Sequence, residues 1–488
     1  MTELHTLNAT QLLARLRSRE VSAVQALEHF NARVEQHNPA LNAVVAFQWE
    51  AARKRATALD AAAARGEFAG PLHGLPMTVK EGFDLLGLAT TVGDPLLKGN
   101  IASSNAVAVQ RLLDAGAVIF GKTNVPLYMA DLQAFNAVYG RTSNPWDLGK
   151  TSGGSSGGAA AALAAGLTPL ELGSDLAGSI RTPAHFCGVY GHRPTFDLVP
   201  IRGHFIGSRK LTGLEFTVAG PMARSAEDLA LALKVLAGPV TAANQRWDVV
   251  LAPPRPQHLA DYRIGVWMDE VSVPLDAPVK AALDKTIAAL RQAGCKIVEG
   301  APDGLSMDKI YPAYFQLMAA SIGGGVPEKV FKQAAQGATL GKFTGSAKTQ
   351  TLLGYAKAMT MGHREWCQLE EQRAHCRARM ARYFEKFDVL LMPVSQTTAP
   401  AHIDRKIEFY KRTLTVNGKP ASYADQMKWI ALAAYCGLPA TAAPIGLSAE
   451  GMPVGIQIVG AELQDLTTID FAGKLAAVAG GFLPPPLA

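Results

Sequence analysis

The residues best suited to chemistry are serines that lie in two clusters of small side chains. The first cluster, residues 151–158, has the sequence TSGGSSGG and precedes an alanine-rich segment at 159–165 that is predicted to be a helix. The second cluster, residues 173–183, has the sequence GSDLAGSIRTP. A serine hydroxyl becomes an effective nucleophile for acyl transfer only when a base removes its proton. The two clusters therefore raise the question of which serine attacks and which residue is its base.

The first cluster satisfies the G-x-S-x-G pattern around both Ser155 and Ser156. That pattern marks a nucleophile elbow when a strand leads directly into the serine and a helix follows it. The preceding residues 144–150, NPWDLGK, are poorly suited to a central strand because they contain proline, glycine and charged side chains. A flexible glycine-serine loop without function is a further interpretation of this cluster.

The second cluster places Ser179 where a helix is predicted to begin, after a short apolar run at 170–172 and a turn of small residues. Such a turn can direct consecutive backbone N–H groups at one point, as in an oxyanion hole. Asp175 and Arg181 flank Ser179 with opposite charges. They are predicted either to pair and stiffen the loop or to make only a surface ion contact.

Histidine and lysine are the two candidates for the base. His185 and His192 follow the second cluster, but no acidic residue lies nearby in the sequence to orient either ring. Lys80 ends the strand-like run at 75–79. Burial in an apolar setting can lower the pKa of a lysine by several units, and the neutral amine can then serve as the base for a serine. Both types of base remain open at this point.

The surrounding pattern predicts the elements that hold these residues. Short apolar runs alternate with helical patterns, which is typical of an α/β sheet with crossover helices. The predicted strands lie at 75–79, 117–120, 264–267, 295–298, 389–392, 441–445 and 454–459. Residues 1–66 are predicted to be a helical N-terminal lead-in with N-caps at Asn8 and Ser22, packed on the core. Residues 67–488 are predicted to form a single domain with a mainly helical segment at 307–386, near the substrate entrance.

Lys80, the cluster at 153–158 and the sequence DLAGSIR at 175–181 occur in an order and spacing that resemble the amidase signature family. Similar segments are GKTN at 121–124, GRTSNPW at 140–146, GPMA at 220–223 and GMPVGIQ at 451–457. The resemblance covers about residues 70–459. It implies a large mixed β-sheet enclosed by helices. It also implies that Ser179 is the nucleophile, Ser155 a bridging serine with a cis peptide, and Lys80 the base.

The resemblance assigns roles to neighbouring residues as well. The implied backbone donors to an oxyanion are those of Leu176, Ala177, Gly178 and Ser179. Met129 and Asp131 match a family loop that lines the acyl pocket. Ala177 stands where many relatives have glycine, so its backbone must avoid a positive φ or tolerate strain.

By this resemblance, the chain is expected to hydrolyse a small-molecule linear amide to the acid and ammonia or an amine, without a metal or an organic cofactor. The apolar and aromatic content of residues 307–386 favours an aliphatic or aryl acyl group. One alternative is a glutamine-hydrolysing amidotransferase subunit that supplies ammonia to a tRNA-bound partner. Another is a non-catalytic binding protein, which is disfavoured because all three catalytic positions carry competent residues. A homodimer is compatible with the family.

Composition argues against several other classes of protein. The net charge is +6, from 47 basic and 41 acidic residues, and no long Lys/Arg run is present, so nucleic acid is not an expected partner. Five scattered cysteines without a C-x-x-C pair predict reduced thiols in a cytoplasmic protein and no zinc site. No signal-like N-terminus and no run of about 18 apolar residues is present, so neither secretion nor membrane spanning is expected.

Overall fold

The computed structural model describes residues 3–205, 213–240, 249–344, 352–403 and 406–487. These residues form a mixed α/β structure in which helices flank one large sheet. The predicted α/β fold class is therefore confirmed. Within the predicted helical segment at 307–386, residues 345–351 lie outside the described residues.

The elements follow in chain order. The helices are α1 Ala9–Arg17, α2 Ala23–Leu41, α3 Trp49–Ala64, α4 Val107–Asp114, α5 Gly157–Ala164, α6 Arg181–Cys187, α7 Ala226–Leu236, α8 Ala277–Gln292, α9 Met307–Gly323, α10 Glu328–Thr344, α11 Leu352–Met359, α12 His363–Lys386, α13 Ala431–Cys436 and α14 Asp465–Ala479. The strands are β1 Val44–Phe47, β2 Pro76–Lys80, β3 Val118–Thr123, β4 Phe135–Asn136, β5 Gly140–Arg141, β6 Ser143–Asn144, β7 Asp147–Thr151, β8 Leu170–Asp175, β9 Tyr190–Arg193, β10 Val218–Ala223, β11 Arg263–Val266, β12 Lys296–Glu299, β13 Val389–Pro393, β14 Thr413–Val416, β15 Lys419–Ser422, β16 Ala440–Leu447 and β17 Pro453–Val459.

The large sheet draws its strands from both ends of the chain. Eleven strands of the described residues lie in the order β1-β3-β2-β8-β10-β9-β16-β17-β13-β11-β12. Strand β2 is parallel to both β3 and β8, whereas β8 and β10 are antiparallel, so the sheet is mixed. Each of the predicted strand runs overlaps one of these strands.

The N-terminal region is more than a helical lead-in. It contains α1, α2 and α3 as predicted, with Asn8 and Ser22 each forming a capping box. It also contributes β1, which pairs antiparallel with β3 at the edge of the large sheet. The helical pattern on both sides of β1 hid this four-residue strand, because so short a run carries little periodicity.

Helix α5 lies against the centre of the sheet and carries the first serine cluster at its N-terminus. All of its residues, from Gly157 to Ala164, are buried. A Cβ atom at Gly158 would lie 2.3 Å from the backbone nitrogen of Asn124, so only glycine permits this close approach. The small glycine and alanine residues therefore let α5 pack closely against strands β2, β3, β8 and β10.

The four helices α9 to α12 account for the described part of the predicted helical segment. The hydroxyl of Tyr314 in α9 donates to the carbonyl oxygen of Leu176 at 2.6 Å, which links this segment to the second serine cluster. Among the helices that the structure describes, none has both the length and the apolar character needed to cross a bilayer.

The capping box of α2 yields a stability prediction. The Ser22 hydroxyl accepts from the backbone N–H of Gln25 at 3.0 Å, and the Gln25 side chain accepts from the backbone N–H of Ser22 at 2.9 Å. We expect Ser22→Ala to lower the free energy of unfolding by about 1 kcal/mol, because the backbone N–H of Gln25 in the first turn of the helix loses its hydrogen-bond partner. Urea unfolding followed by circular dichroism measures this loss. The exposed Ser103→Ala is the control, and an equal effect of both substitutions would contradict the prediction.

Candidate active site

Lys80 is a fully buried lysine at the end of β2, in the interior of the large sheet. Its Nζ atom lies 2.7 Å from Ser155 Oγ, 2.9 Å from Ser174 Oγ and 3.3 Å from the Ser174 carbonyl oxygen. Burial lowers the pKa of Lys80 to about 7, although the charges of Asp175 and Glu171 partly oppose the shift. A substantial fraction of this amine is therefore neutral near pH 7 and can accept a proton.

Ser155 and Ser179 come from the two different serine clusters, which the backbone brings together. Ser155 is buried in the turn before α5 and follows a cis peptide bond from Gly154, as the resemblance implied. The backbone N–H of Ser156 donates to the carbonyl oxygen of Ser179 at 3.1 Å. The structure thus places Lys80 in contact with Ser155, and Ser155 beside the loop of Ser179. Among the described residues, no hydrogen bond engages the Ser179 hydroxyl, and its residue is 8% exposed.

The turn before Ser179 presents backbone donors, although not all of them are free. The Gly178 N–H donates to Asp175 Oδ1 at 2.9 Å, so it is already engaged. In the described part of the chain, the N–H groups of Leu176, Ala177 and Ser179 make no hydrogen bond. The positive φ of this turn, +90°, falls on Gly178 and not on Ala177, so alanine at position 177 carries no left-handed strain.

Asp175 and Arg181 form a buried ion pair, so the surface-contact interpretation was wrong. Both side chains are 0% exposed, and Arg181 donates from Nε and Nη2 to the two carboxylate oxygens at 3.0 Å each. Arg193 lies 3.5 Å from the same carboxylate. Burial alone would raise the pKa of Asp175, but the two guanidinium groups outweigh it and hold this pKa well below its usual range. The loop is fixed because Asp175 also accepts from the Gly178 N–H.

The two histidines considered as bases contact groups other than the serines. His185 bonds through its ring nitrogens to the backbone of Gly455 and of Thr397. His192 lies 3.0 Å from a carboxylate oxygen of Asp465, an acidic partner far away in the sequence. The other ring nitrogen of His192 contacts the Thr441 hydroxyl at 2.9 Å. Both rings are therefore occupied in positioning strands and loops.

The elbow hypothesis lacks the strand that it requires. Strand β7 does precede the first cluster, but it pairs with β6 in a separate two-stranded sheet and, through an isolated bridge at Lys150, with Ala401. Ser155 is therefore not presented at the end of a central strand. Lys80, by contrast, does lie at the end of a strand in the middle of the large sheet.

Met129 and Asp131 lie beside the turns that carry the chemistry. A Cβ atom at Gly82 would lie 2.5 Å from Met129 Sδ, so the methionine packs against the chain just after Lys80. The carboxylate of Asp131 is shared by Arg412 Nη1 at 2.5 Å and by the Tyr423 hydroxyl at 2.9 Å. Asp131 is thus neutralised by protein groups and does not present a free charge.

Sequence reasoning missed two residues that contact the buried lysine or its neighbour. Ser174 was visible in the second cluster, but its role depends on strand β8 lying beside β2. His204 Nε2 lies 2.9 Å from Ser174 Oγ, and His204 is itself buried. No local pattern marks His204, because its contact with Ser174 joins residues that are far apart in the sequence.

Comparisons with known proteins find similar chains along most of this sequence. The family model described as Amidase matches residues 25–469. An acylamidase from Rhodococcus erythropolis is 38% identical over 311 residues, which cover 62% of this chain and 63% of that protein. A glutamyl-tRNA(Gln) amidotransferase subunit from Deinococcus deserti is 32% identical over 498 residues, which cover 98% of each. The match thus spans less than two thirds of the acylamidase but almost all of the amidotransferase protein.

The fold is also similar to solved structures. The structure of a 6-aminohexanoate cyclic dimer hydrolase complexed with substrate superimposes with a TM-score of 0.78 at 27% identity, and the match covers 98% of each chain. The family match extends across Lys80 and both serine clusters. From its sequence and its fold, the chain belongs to the amidase family, whose members carry the amidase signature.

Proposed function

We propose that this protein hydrolyses a linear carboxylic amide through an acyl-enzyme on Ser179. The observation that carries the proposal is the buried Lys80 amine, whose pKa is lowered to about 7 and which lies 2.7 Å from Ser155 Oγ. A neutral amine at that distance can take a proton from the Ser155 hydroxyl. In the proposed relay Ser155 in turn takes a proton from Ser179, whose carbonyl oxygen accepts from the backbone N–H of Ser156, the residue after Ser155.

Acylation then follows as a proton relay coupled to nucleophilic attack. Ser179 Oγ bonds to the amide carbonyl carbon while its proton passes to Ser155 and the Ser155 proton passes to Lys80. The resulting ammonium returns a proton through Ser155 to the leaving nitrogen, which departs as ammonia or an amine. Water attacks the acyl-enzyme by the same relay and releases the acid. Each half-reaction leaves Lys80 neutral again.

The negative charge that develops on the carbonyl oxygen needs preorganised donors. The N–H groups of Leu176, Ala177 and Ser179 are the candidates, since the Gly178 N–H is held by Asp175. Loss of one such donor typically costs about 100- to 1,000-fold in rate. The buried Asp175 stiffens the turn and so keeps these donors fixed.

Ring contacts near Asp131 favour an apolar or aromatic acyl group. A chain of neighbouring rings, with centroids 5.2 to 6.2 Å apart, runs through Tyr311, Phe315, Tyr355, Tyr410, Phe409 and Tyr423. This chain starts in the helical segment and ends at Tyr423, whose hydroxyl donates to Asp131. Aromatic side chains supply apolar surface together with a few polar contacts. The helical segment would thereby line the substrate entrance.

The second candidate, a glutamine-hydrolysing role within an amidotransferase, is favoured by the full-length similarity to the protein from Deinococcus deserti. Glutamine carries an ammonium and a carboxylate, which need oppositely charged partners. Asp131 and Arg412 already neutralise each other. Ammonia release from glutamine that appears only with a partner protein would support this candidate. Hydrolysis of aryl or aliphatic amides by the chain alone would exclude an obligate partner.

The proposed roles predict the outcome of three substitutions. Ser179→Ala, Ser155→Ala and Lys80→Ala should each lower kcat/KM by at least about 1,000-fold, because each removes a step of one relay. The measurement is the release of ammonia or amine from primary aliphatic amides, anilides, peptide amides and a cyclic amide dimer. His185→Gln is the control, because His185 is buried but does not contact the relay. Full turnover by Ser179→Ala would contradict the proposal.

The lowered pKa of Lys80 predicts the pH dependence of the reaction. Neutral amine predominates above about pH 7, so kcat/KM should fall about tenfold per unit as pH drops below 7 and level off above it. Initial rates with a neutral anilide substrate from pH 5 to 9 measure the profile. A rate that still rises about tenfold per unit up to the end of this range would show that Lys80 keeps an ordinary lysine pKa.

The buried Asp175 predicts a large loss of stability on substitution. Asp175→Asn would leave Arg181 and Arg193 buried without their anion, which typically costs about 3–5 kcal/mol. Thermal and urea unfolding measure the loss. Asp284→Asn, which breaks an exposed pair with Lys280, should change stability by less than about 1 kcal/mol. Equal effects of the two substitutions would contradict this assignment.

A further inference from the structure

In the hydrogen bonds between the Lys80 amine and its two serine hydroxyls, either group can be the donor, and the proposed relay works in only one of these arrangements. A neutral amine has two hydrogens and one lone pair, and Nζ has three neighbours: Ser155 Oγ, Ser174 Oγ and the Ser174 carbonyl oxygen. The carbonyl oxygen can only accept. The lone pair must therefore face one of the two hydroxyls. Only if it faces Ser155 can Lys80 take the proton that the proposed reaction requires.

His204 is placed to settle which hydroxyl the lone pair faces. Its Nε2 atom lies 2.9 Å from Ser174 Oγ, the same hydroxyl oxygen that Lys80 Nζ contacts. The loop that carries His204 is fastened to the chain that follows Lys80, because Phe205 N–H donates to Gly82 O at 2.7 Å. The ring packs edge-on against Phe83 with centroids 4.6 Å apart. A side chain at Gly82 would come within 3.3 Å of Nε2, so glycine leaves room for the ring.

The charges around His204 favour a neutral ring. Burial and the nearby charge of Lys80 lower the pKa of His204 to about 3, and Lys122 acts in the same direction. A neutral imidazole carries one N–H and one acceptor nitrogen. Ser174 Oγ is thus bonded either by an acceptor or by a donor, depending on the tautomer, and the buried Nδ1 atom, which has no hydrogen-bond partner among the described residues, does not select between the two.

We propose that His204 is a positioning residue, whose Nε2 accepts the Ser174 hydroxyl proton and thereby directs the Lys80 lone pair to Ser155. With its own hydrogen committed to His204, Ser174 Oγ can only accept from Lys80. Both Lys80 hydrogens then go to Ser174, one to Oγ and one to the carbonyl oxygen. The Ser155 hydroxyl is left as the single donor to the lone pair. The inference rests on the proposed function, since it concerns the same relay.

The opposite tautomer makes a non-productive arrangement. If His204 Nε2 carried the hydrogen, Ser174 Oγ would accept from it and could donate its own hydrogen to Lys80. Lys80 would then donate an N–H to Ser155 Oγ and could not remove its proton. The same competition arises when residue 204 has no acceptor at all. His204 therefore acts through Ser174 on the direction of one hydrogen bond.

Substitutions at both positions separate this role from a structural one. His204→Phe should lower kcat at least about tenfold, a part of the contribution of general acid–base catalysis. His204→Gln, whose amide oxygen can replace the acceptor, should keep most of the activity. Ser174→Ala placed in the His204→Phe protein should restore activity, because the competing hydroxyl is gone. A purely structural role for His204 predicts a further loss in the double variant instead of a gain.

The pH profile gives a second readout. In His204→Phe, the Ser174 hydroxyl can donate to neutral Lys80 and stabilise it, so the acid limb of kcat/KM should move to lower pH. Ser174→Ala should remove that shift. The groups that face Lys80 are otherwise the same in these variants, namely Ser155, Glu171 and Asp175. An unmoved limb together with unchanged kcat in folded His204→Phe would overturn the proposal.

The tautomer can also be measured in the wild-type protein, without any risk of misfolding. Long-range nitrogen-proton NMR of protein labelled with 15N-histidine distinguishes an unprotonated Nε2 from a protonated one, and His204→Gln assigns the signal. An unprotonated Nε2 bears out the proposal, and a protonated Nε2 overturns it. Activity that is lost in Ser179→Ala but normal in His204→Phe would reject the positioning role while leaving the proposed function intact.

Discussion

The site depends on keeping the amine of Lys80 neutral in the interior of the sheet. A lysine whose pKa falls from 10.5 to about 7 has its charged form disfavoured by roughly 5 kcal/mol. The sheet supplies this penalty by burying the end of β2 between β3 and β8. Ser174 in β8 and Ser155 in the turn before α5 are the polar partners of Lys80, so the amine is not left without hydrogen bonds. The position of β2 in the middle of the sheet is therefore a chemical requirement as well as a packing one.

The second constraint is the charge of Asp175, which directly follows Ser174, a contact of Lys80. Asp175 ends β8 and is as deeply buried as Lys80, but two guanidinium groups keep it ionised. The same carboxylate fixes the turn before Ser179 through the Gly178 N–H. One buried residue is thus held neutral to act as a base, while another is held charged to shape the turn. Both effects arise from the same low-polarity interior, and the difference lies in the partners that each group is given.

The sequence predicted those features that depend on local pattern. Strands such as 75–79 were recognisable as apolar runs, and Asn8 and Ser22 were recognisable as caps because the capping box lies within four residues. The features that it did not predict join distant parts of the chain. Asp465 as the partner of His192, His204 as the partner of Ser174, and β1 as an edge strand all depend on how the sheet is assembled. The commitment of the Gly178 N–H to Asp175 depends on the detailed turn geometry, which residue types alone do not specify.

The most direct test of the central claim is an NMR titration of the Lys80 side chain in the resting protein. Protein with 13Cε-labelled lysine reports each amine, and the spectrum of Lys80→Met identifies the Lys80 signal. Lys122→Met is a necessary second reference, since burial also lowers the pKa of Lys122, to about 8. The account predicts that the Lys80 signal titrates near pH 7. A midpoint near the ordinary lysine value of about 10.4 would contradict the assignment of Lys80 as a neutral base.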